Sequence, residues 1–103
     1  MGVILADSND LVRAGMRSIL SMQTDLPITS EATNSEELCE QVQSFSPSMV
    51  ILDFTSEGFT IDVISKIKSI NSDIRFIAIT PEQNAQTLID ALRLGVNSYC
   101  LLY

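Results

Sequence analysis

The chain has 103 residues, 46% of them apolar, which is enough for one domain over residues 1–103 and too few for two. Its formal charge is −7, and its six basic residues are scattered, so we expect no direct contact between this chain and nucleic acid. No apolar run approaches membrane-spanning length and no basic leader precedes the first strand, so we expect a cytoplasmic protein without membrane contact. With two cysteines and no histidine, a zinc site and a histidine-activated nucleophile are excluded.

The first third of the sequence predicts a strand, a helix and a second strand. The apolar run Val3–Ala6 predicts a buried strand. Either Asn9 or Asp10 can cap a helix that follows, and its helical apolar spacing continues to about Gln23. The segment Ile28–Ala32 is more polar, which favours a strand at the edge of a sheet.

The second helix has two possible starting points. Thr33 and Asn34 each stand three residues before a glutamate, Glu36 and Glu37, which gives two overlapping capping-box registers. The pair Ser46-Pro47 ends the helix. We expect three apolar side chains on one face of this helix, at Leu38, Val42 and Phe45.

The remaining sequence repeats the alternation of strand and helix. The run Met49–Leu52 predicts a strand buried on both faces, with Asp53 directly after it. A helix with isoleucines at three-residue steps follows, then a strand over Arg75–Thr80. The next helix has Gly95 as its natural C′ residue, and Ser98–Leu102 is the fifth strand. The isoleucines of the third helix are Ile61, Ile64, Ile67 and Ile70.

This alternation predicts the α/β fold class. Right-handed crossovers between parallel strands give a three-layer sandwich. We expect a flavodoxin-like, doubly wound, five-stranded parallel sheet with strand order 2-1-3-4-5. That order sets the carboxyl ends of strands 1, 3 and 4 side by side, where sites in such sheets are built. Asp7, Asp53 and Thr80 end these three strands and should converge there.

Two segments carry a family pattern: VILADSNDLVRAGMR at Val3–Arg17 and GVNSYCL at Gly95–Leu101. With the strand ends in between, they resemble a receiver domain of bacterial two-component response regulators, in the subfamily whose receivers precede a helix-turn-helix output domain. The resemblance covers nearly the whole chain. It implies a histidine kinase or another signalling protein as one partner, and an output domain or a DNA-binding protein as another.

The resemblance also implies a role for individual residues. Asp53 corresponds to the phosphoacceptor, Thr80 to the switch hydroxyl and Tyr99 to the switch aromatic residue. The cofactor would be Mg²⁺, held by Asp7, by Asp53 and by the main-chain carbonyl of Thr55.

Four positions depart from the family pattern. The family has two consecutive acids after strand 1, but here Asp7 is followed by Ser8, a poor ligand for Mg²⁺. The family's lysine near the end of strand 5 aligns with Leu102, which supplies neither charge nor donor. Pro81 has no N–H to offer a phosphoryl oxygen. Glu57 stands where the family commonly has proline and adds negative charge near the site.

These departures favour a pseudo-receiver that acts by protein–protein contact to control a DNA-binding output, with weak or no Mg²⁺ binding. The alternative is a working phosphoacceptor, phosphorylated on Asp53 by a partner histidine kinase. Neither hypothesis makes the chain an enzyme beyond self-phosphorylation from a phosphodonor. A flavodoxin-like enzyme or nucleotide binder is disfavoured, because the sequence has no glycine-rich phosphate loop and no general base.

Receivers of this family continue after strand 5 into a fifth helix, which packs beside helix 1, whereas this sequence stops at Tyr103. We therefore expect strands 1, 3 and 5 to expose part of their apolar surface on that face. The expectation that follows is a chain truncated at its C-terminus, or a homodimer that covers the face.

Overall fold

The computed structural model describes residues 2–23, 27–80, 85–96 and 98–101. They form one five-stranded parallel sheet in the order β2-β1-β3-β4-β5, with helices between the strands, which confirms the expected topology. The strands are β1 (Val3–Ala6), β2 (Ile28–Ala32), β3 (Met49–Leu52), β4 (Arg75–Thr80) and β5 (Ser98–Leu101). The helices are α1 (Asp10–Gln23), α2 (Ser35–Phe45), α3 (Asp62–Ile70) and α4 (Ala85–Leu94).

The starts of α1 and α2 follow from local capping. The Asn9 side-chain oxygen accepts hydrogen bonds from the N–H groups of Leu11 and Val12, at 2.8 and 3.1 Å, so Asn9 caps α1. Of the two registers at α2, the structure adopts that of Asn34, whose side chain accepts from the N–H of Glu37 at 2.8 Å. The Glu37 carboxylate reaches back to the N–H of Thr33 at 3.0 Å.

One face of the sheet carries the larger core. There α2 and α3 pack on β1, β3 and β4, and Leu94 at the end of α4 joins them. Two residues expected on core-facing stripes lie largely outside it, because Phe45 and Ile70 sit in the last turns of their helices and are about half exposed. The largest fully buried side chains of this core are Ile4, Leu38, Leu52, Ile64, Ile67, Ile74 and Phe76.

The opposite face of the sheet is covered by α1. Val3 and Leu5 of β1 and Ile51 of β3 are buried beneath Met16 and Leu20 of that helix. The expectation that strands 1 and 3 expose part of their apolar surface here does not hold for Val3, Leu5 and Ile51, because α1 covers them. Two neighbours further along the face, Met49 and Ile77, are only partly buried. No helix in the described part of the chain is long and apolar enough to cross a membrane.

Candidate acidic site at the carboxyl edge of the sheet

Asp7 and Asp53 lie level at the carboxyl edge of the sheet, as the sequence predicts. Ala6 and Leu52, the residues before them, are paired in the parallel register of β1 and β3. The Asp53 N–H donates to the Ala6 carbonyl at 3.1 Å, and the Asp7 N–H donates to the Ala32 carbonyl at the same distance. The hydrogen bonds between neighbouring strands thus continue as far as Asp7 and Asp53 and fix the main chain of both residues.

The Asp53 carboxylate is held by the loop that follows it. One of its oxygens, Oδ1, accepts hydrogen bonds from the Thr55 N–H at 2.9 Å and from the Thr55 hydroxyl at 2.5 Å. The Ser56 hydroxyl donates to the Asp53 main-chain carbonyl at 3.0 Å. Asp53 is only 6% exposed, so these contacts fix a carboxylate that has little water around it.

Asp7 is more deeply buried, at 2% exposure, and is only half satisfied. Its Oδ1 accepts from the Asn9 N–H at 2.7 Å, whereas its Oδ2 is buried without a hydrogen-bond partner. Burial raises the pKa of Asp7, the Asn9 N–H opposes this in part, and the neighbouring charge of Asp53 raises the pKa further. A buried carboxylate oxygen without a donor, beside a second carboxylate, fits a cation.

Arg13 is the site residue that the sequence reasoning missed. It is only 8% exposed, and its guanidinium extends from α1 to the end of β1, where Nη1 donates to the Asp7 main-chain carbonyl at 2.6 Å. Nε donates to a Glu31 carboxylate oxygen on β2 at 2.9 Å, and Nη2 pairs with Asp10. Arg17, one turn further along α1, pairs with the other Glu31 oxygen.

The charges of this network stabilise one another. Hydrogen bonds to Glu31 and Asp10 raise the pKa of Arg13, although its burial acts in the opposite direction. The hydrogen bond from Arg17, and then that from Arg13, lower the pKa of Glu31, with burial opposing them. The sequence did contain a signal for the network, namely two arginines four residues apart in the predicted first helix and one charged residue, Glu31, in the predicted edge strand.

Comparison with known proteins places these features in a family. The response regulator receiver domain matches residues 3–101 of this chain. The chain belongs to that family.

Curated relatives of this receiver include NarL, the nitrate/nitrite response regulator protein of Escherichia coli, which is 24% identical over 100 residues. The response regulator protein VraR of Staphylococcus aureus is 26% identical over 100 residues. Each alignment covers 96% of this chain but only 46% of NarL and 48% of VraR. The receiver therefore spans about half the length of these relatives.

Solved structures agree with the receiver fold. The CheY of a CheX–CheY–BeF₃⁻–Mg²⁺ complex from Borrelia burgdorferi superposes with a TM-score of 0.91 at 20% identity, covering this whole chain and 78% of the other. A LuxR-family response regulator from Aurantimonas has a TM-score of 0.88 at 22% identity, with 96% of this chain and 71% of the other covered. Receiver domains are signalling domains that typically bind Mg²⁺ in their phosphorylation site.

The described residues offer Mg²⁺ two carboxylates at this edge of the sheet. Within the described ranges, no three side chains of aspartate, glutamate or cysteine form a cluster able to hold a metal ion. What remains is the pair Asp7 and Asp53, with the neutral Ser8 after the first of them. The pair fits a divalent cation, and the proposed ligation by the Thr55 carbonyl stays a prediction.

The other predicted site residues are placed by the main chain only. Thr80 ends β4 beside β3 and pairs with Leu101, and Tyr99 lies within β5 opposite Ala78. The side chains of Thr80 and Tyr99, and the departures at Pro81 and Leu102, lie outside the described residues. Glu57 is described and exposed in the loop after Asp53.

Proposed function

We propose that this receiver is a pseudo-receiver, a signalling module that acts by protein–protein contact rather than by efficient phosphoryl transfer. The observation that carries the proposal is the acid pair at the carboxyl edge. Asp7 keeps its place there with one oxygen unpartnered, but its chain neighbour is Ser8 rather than a second acid. The site thus has the scaffold of a phosphoacceptor without its full set of charges.

The chemistry explains why the missing charges matter. When an aspartate attacks a phosphoryl group, two anions approach each other, so a metal ion and fixed donors must neutralise the transferring oxygens. Ser8 removes a carboxylate, Leu102 a lysine and Pro81 a main-chain N–H. Each charge-assisted contact is worth about 1.5–3 kcal/mol, and about 1.4 kcal/mol is tenfold in rate. Together the three losses would slow phosphorylation by several powers of ten.

A second candidate function, a working phosphoacceptor, is supported by Asp53 itself. It follows β3 beside Asp7, and Thr55 engages only one of its carboxylate oxygens among the hydrogen bonds described. The isolated receiver domain of RcsB from Salmonella enterica, 24% identical to this chain, has been solved in the presence of the phosphomimetic BeF₃⁻. Under this alternative, a partner kinase would phosphorylate Asp53.

Treatment with Mg²⁺ and a small phosphodonor, followed by intact-mass measurement, separates the two functions. Beryllofluoride binding, followed by fluorine NMR, is the second readout. Asp53→Asn is the control, because it keeps the shape of the side chain but cannot accept the group. We expect little or no adduct in the wild type. A stoichiometric adduct at ordinary Mg²⁺ concentrations that Asp53→Asn abolishes would refute the pseudo-receiver and establish the phosphoacceptor.

The length of the relatives supports a partner or an attached output for this receiver. NarL and VraR, of which this chain matches about half, are response regulators. We propose that this receiver regulates a DNA-binding output, attached or separate, and receives its signal from a histidine kinase or another signalling protein. We also propose that the 103-residue chain self-associates as a homodimer, since Met49 and Ile77 are incompletely covered on the α1 face of the sheet.

A further inference from the structure

Arg13 carries a permanent charge and yet lies almost entirely inside the protein. Burying a guanidinium is costly unless each side of it meets an acceptor, and Arg13 meets three, at Asp7, Asp10 and Glu31. Joining α1 to β2 does not require all of these contacts, because Arg17 makes the same link through the other Glu31 oxygen from a half-exposed position. Besides a pair with Asp10 within α1, what Arg13 adds is its contact with Asp7.

That contact falls on the peptide bond between Asp7 and Ser8. Arg13 Nη1 donates to the carbonyl of this peptide at 2.6 Å. The N–H on its other side, from Ser8, points at the Ser56 hydroxyl across a long 3.5 Å contact, and that hydroxyl donates to the Asp53 carbonyl. A series of hydrogen bonds therefore runs from Glu31 through Arg13 and the Asp7–Ser8 peptide to the loop after Asp53. Its longest step is the 3.5 Å contact between Ser8 and Ser56.

We propose that Arg13 is a positioning residue of the acidic site, which fixes the Asp7–Ser8 peptide and couples the edge strand β2 to the cation-binding carboxylates. The inference rests on the proposed function only in taking the acid pair as a cation site. A guanidinium suits this task because its planar fork serves several acceptors at once, whereas an ammonium serves them one at a time. If a partner protein bound the Glu31 carboxylate, Arg13 would lose its acceptor on β2 and move, and the Asp7 main chain that it holds would shift with it.

The substitution that tests the proposal is Arg13→Lys, because it keeps the positive charge and loses the fork. A neutral replacement would also remove a charge that repels a bound cation, and the two effects would oppose each other. Arg17→Lys is the matched control, since it makes the same change one turn along α1 without touching Asp7. Both are made in a Ser8→Asp background, where the restored acid makes Mg²⁺ binding measurable.

We expect Arg13→Lys to weaken Mg²⁺ binding about tenfold, the usual minimum for loss of a residue that orients a metal ligand, while Arg17→Lys leaves it unchanged. In the metal-free protein, the carbon NMR signal of the Asp7 carboxyl should shift in Arg13→Lys and not in Arg17→Lys. Glu31→Gln is a second variant, which removes the negative charge on the β2 side and leaves one amide oxygen for both arginines, so the hold of β2 on Arg13 is loosened. It should weaken Mg²⁺ binding in the same direction.

The inference is overturned if Arg13→Lys and Glu31→Gln lower the melting temperature but leave Mg²⁺ affinity and the Asp7 signal as in Arg17→Lys. That result would make the network a purely structural tie between α1 and β2. If the Ser8→Asp protein itself binds no Mg²⁺, the cation-site part of the proposed function fails, and the metal-free Asp7 signal alone decides the role of Arg13.

Discussion

At the scale of single residues, the acid pair combines burial with incomplete charge compensation. Asp7 Oδ2 has no donor, and the pKa of Asp7 is raised by burial and by the neighbouring Asp53. Such a site stores unfavourable electrostatic energy that a cation, a proton or a neutral substitution can relieve.

Restoring the second acid should strengthen metal binding. Ser8→Asp adds a hard anionic oxygen next to Asp7, so we expect tighter Mg²⁺ binding by at least about tenfold. Calorimetry on both forms measures this, with Ser8→Asn as a control that offers an oxygen ligand at the same position without the charge. Sub-millimolar binding by the wild type would contradict the view that two carboxylates are insufficient.

Neutralising Asp53 should stabilise the fold. In Asp53→Asn the retained Oδ1 still accepts from Thr55, while the new amide removes one charge and can donate towards Asp7. We expect a gain of about 1 kcal/mol, or about 4 °C in melting temperature for a domain of this size. Asp53→Ala, which also loses the acceptor for Thr55, should lack this gain. A melting temperature that falls in Asp53→Asn would show that the charge itself is needed.

The raised pKa of Asp7 also predicts how stability depends on pH. Between its ordinary value of 3.8 and its higher folded value, the folded state binds more protons at Asp7 than the unfolded state does. The free energy of unfolding contributed by Asp7 therefore falls as pH rises through this window. Asp7→Asn should remove that fall, so its stability relative to wild type increases from acid to neutral pH in urea titrations. If the difference in free energy of unfolding between Asp7→Asn and wild type stayed constant across this pH range, the raised pKa of Asp7 would be contradicted.

At the scale of elements, the start of α2 depends on which of two overlapping caps is used. Asn34 accepts from the N–H of Glu37, whereas the Thr33 hydroxyl makes only 3.5 Å contacts with the Glu37 carboxylate. The choice matters for the site because the Ser35 N–H, in the first turn of α2, donates to the Gly58 carbonyl at 2.9 Å in the loop after Asp53.

Removing the two candidate caps should therefore have unequal effects. We expect Asn34→Ala to lower the free energy of unfolding by about 1 kcal/mol, because the Glu37 N–H loses its acceptor. Thr33→Ala should cost much less, since the Thr33 main-chain N–H can still donate to Glu37. Chemical unfolding of both variants provides the comparison, and equal losses would mean that both registers are used.

At the scale of the whole molecule, the α1 side carries the most exposed apolar side chains in the described part of the chain. Leu11 and Met22, eleven residues apart and therefore on one side of α1, are 81% and 80% exposed. They point away from the sheet, because Met16 and Leu20, which pack on it, lie on the other side of α1. Apolar surface of this kind favours association when it is contiguous.

We predict that the 103-residue chain forms a dimer at micromolar concentration and that Leu11→Ser with Met22→Ser weakens it. These side chains are exposed, so their replacement should not harm folding. Phe45→Ser is the control, because Phe45 is a half-exposed residue of α2, on the opposite face of the sheet. Light scattering over a dilution series is the measurement. A stable wild-type monomer that does not aggregate would refute self-association.

The amino-acid sequence by itself determined the order of the elements, the sheet topology and the meeting of Asp7 with Asp53. Periodicity along the sequence shows the elements, the carboxyl ends of parallel strands lie at one edge of a sheet, and the strand order was expected by analogy with flavodoxin-like folds. Tertiary structure alone decided the cap at Asn34, the exposure of Phe45 and the burial of Arg13 between Asp7 and Glu31. Each of these depends on residues that are distant in sequence or on competition between neighbouring donors and acceptors. The physical reason is that periodicity shows which face a residue occupies, whereas its partner across that face is chosen by packing.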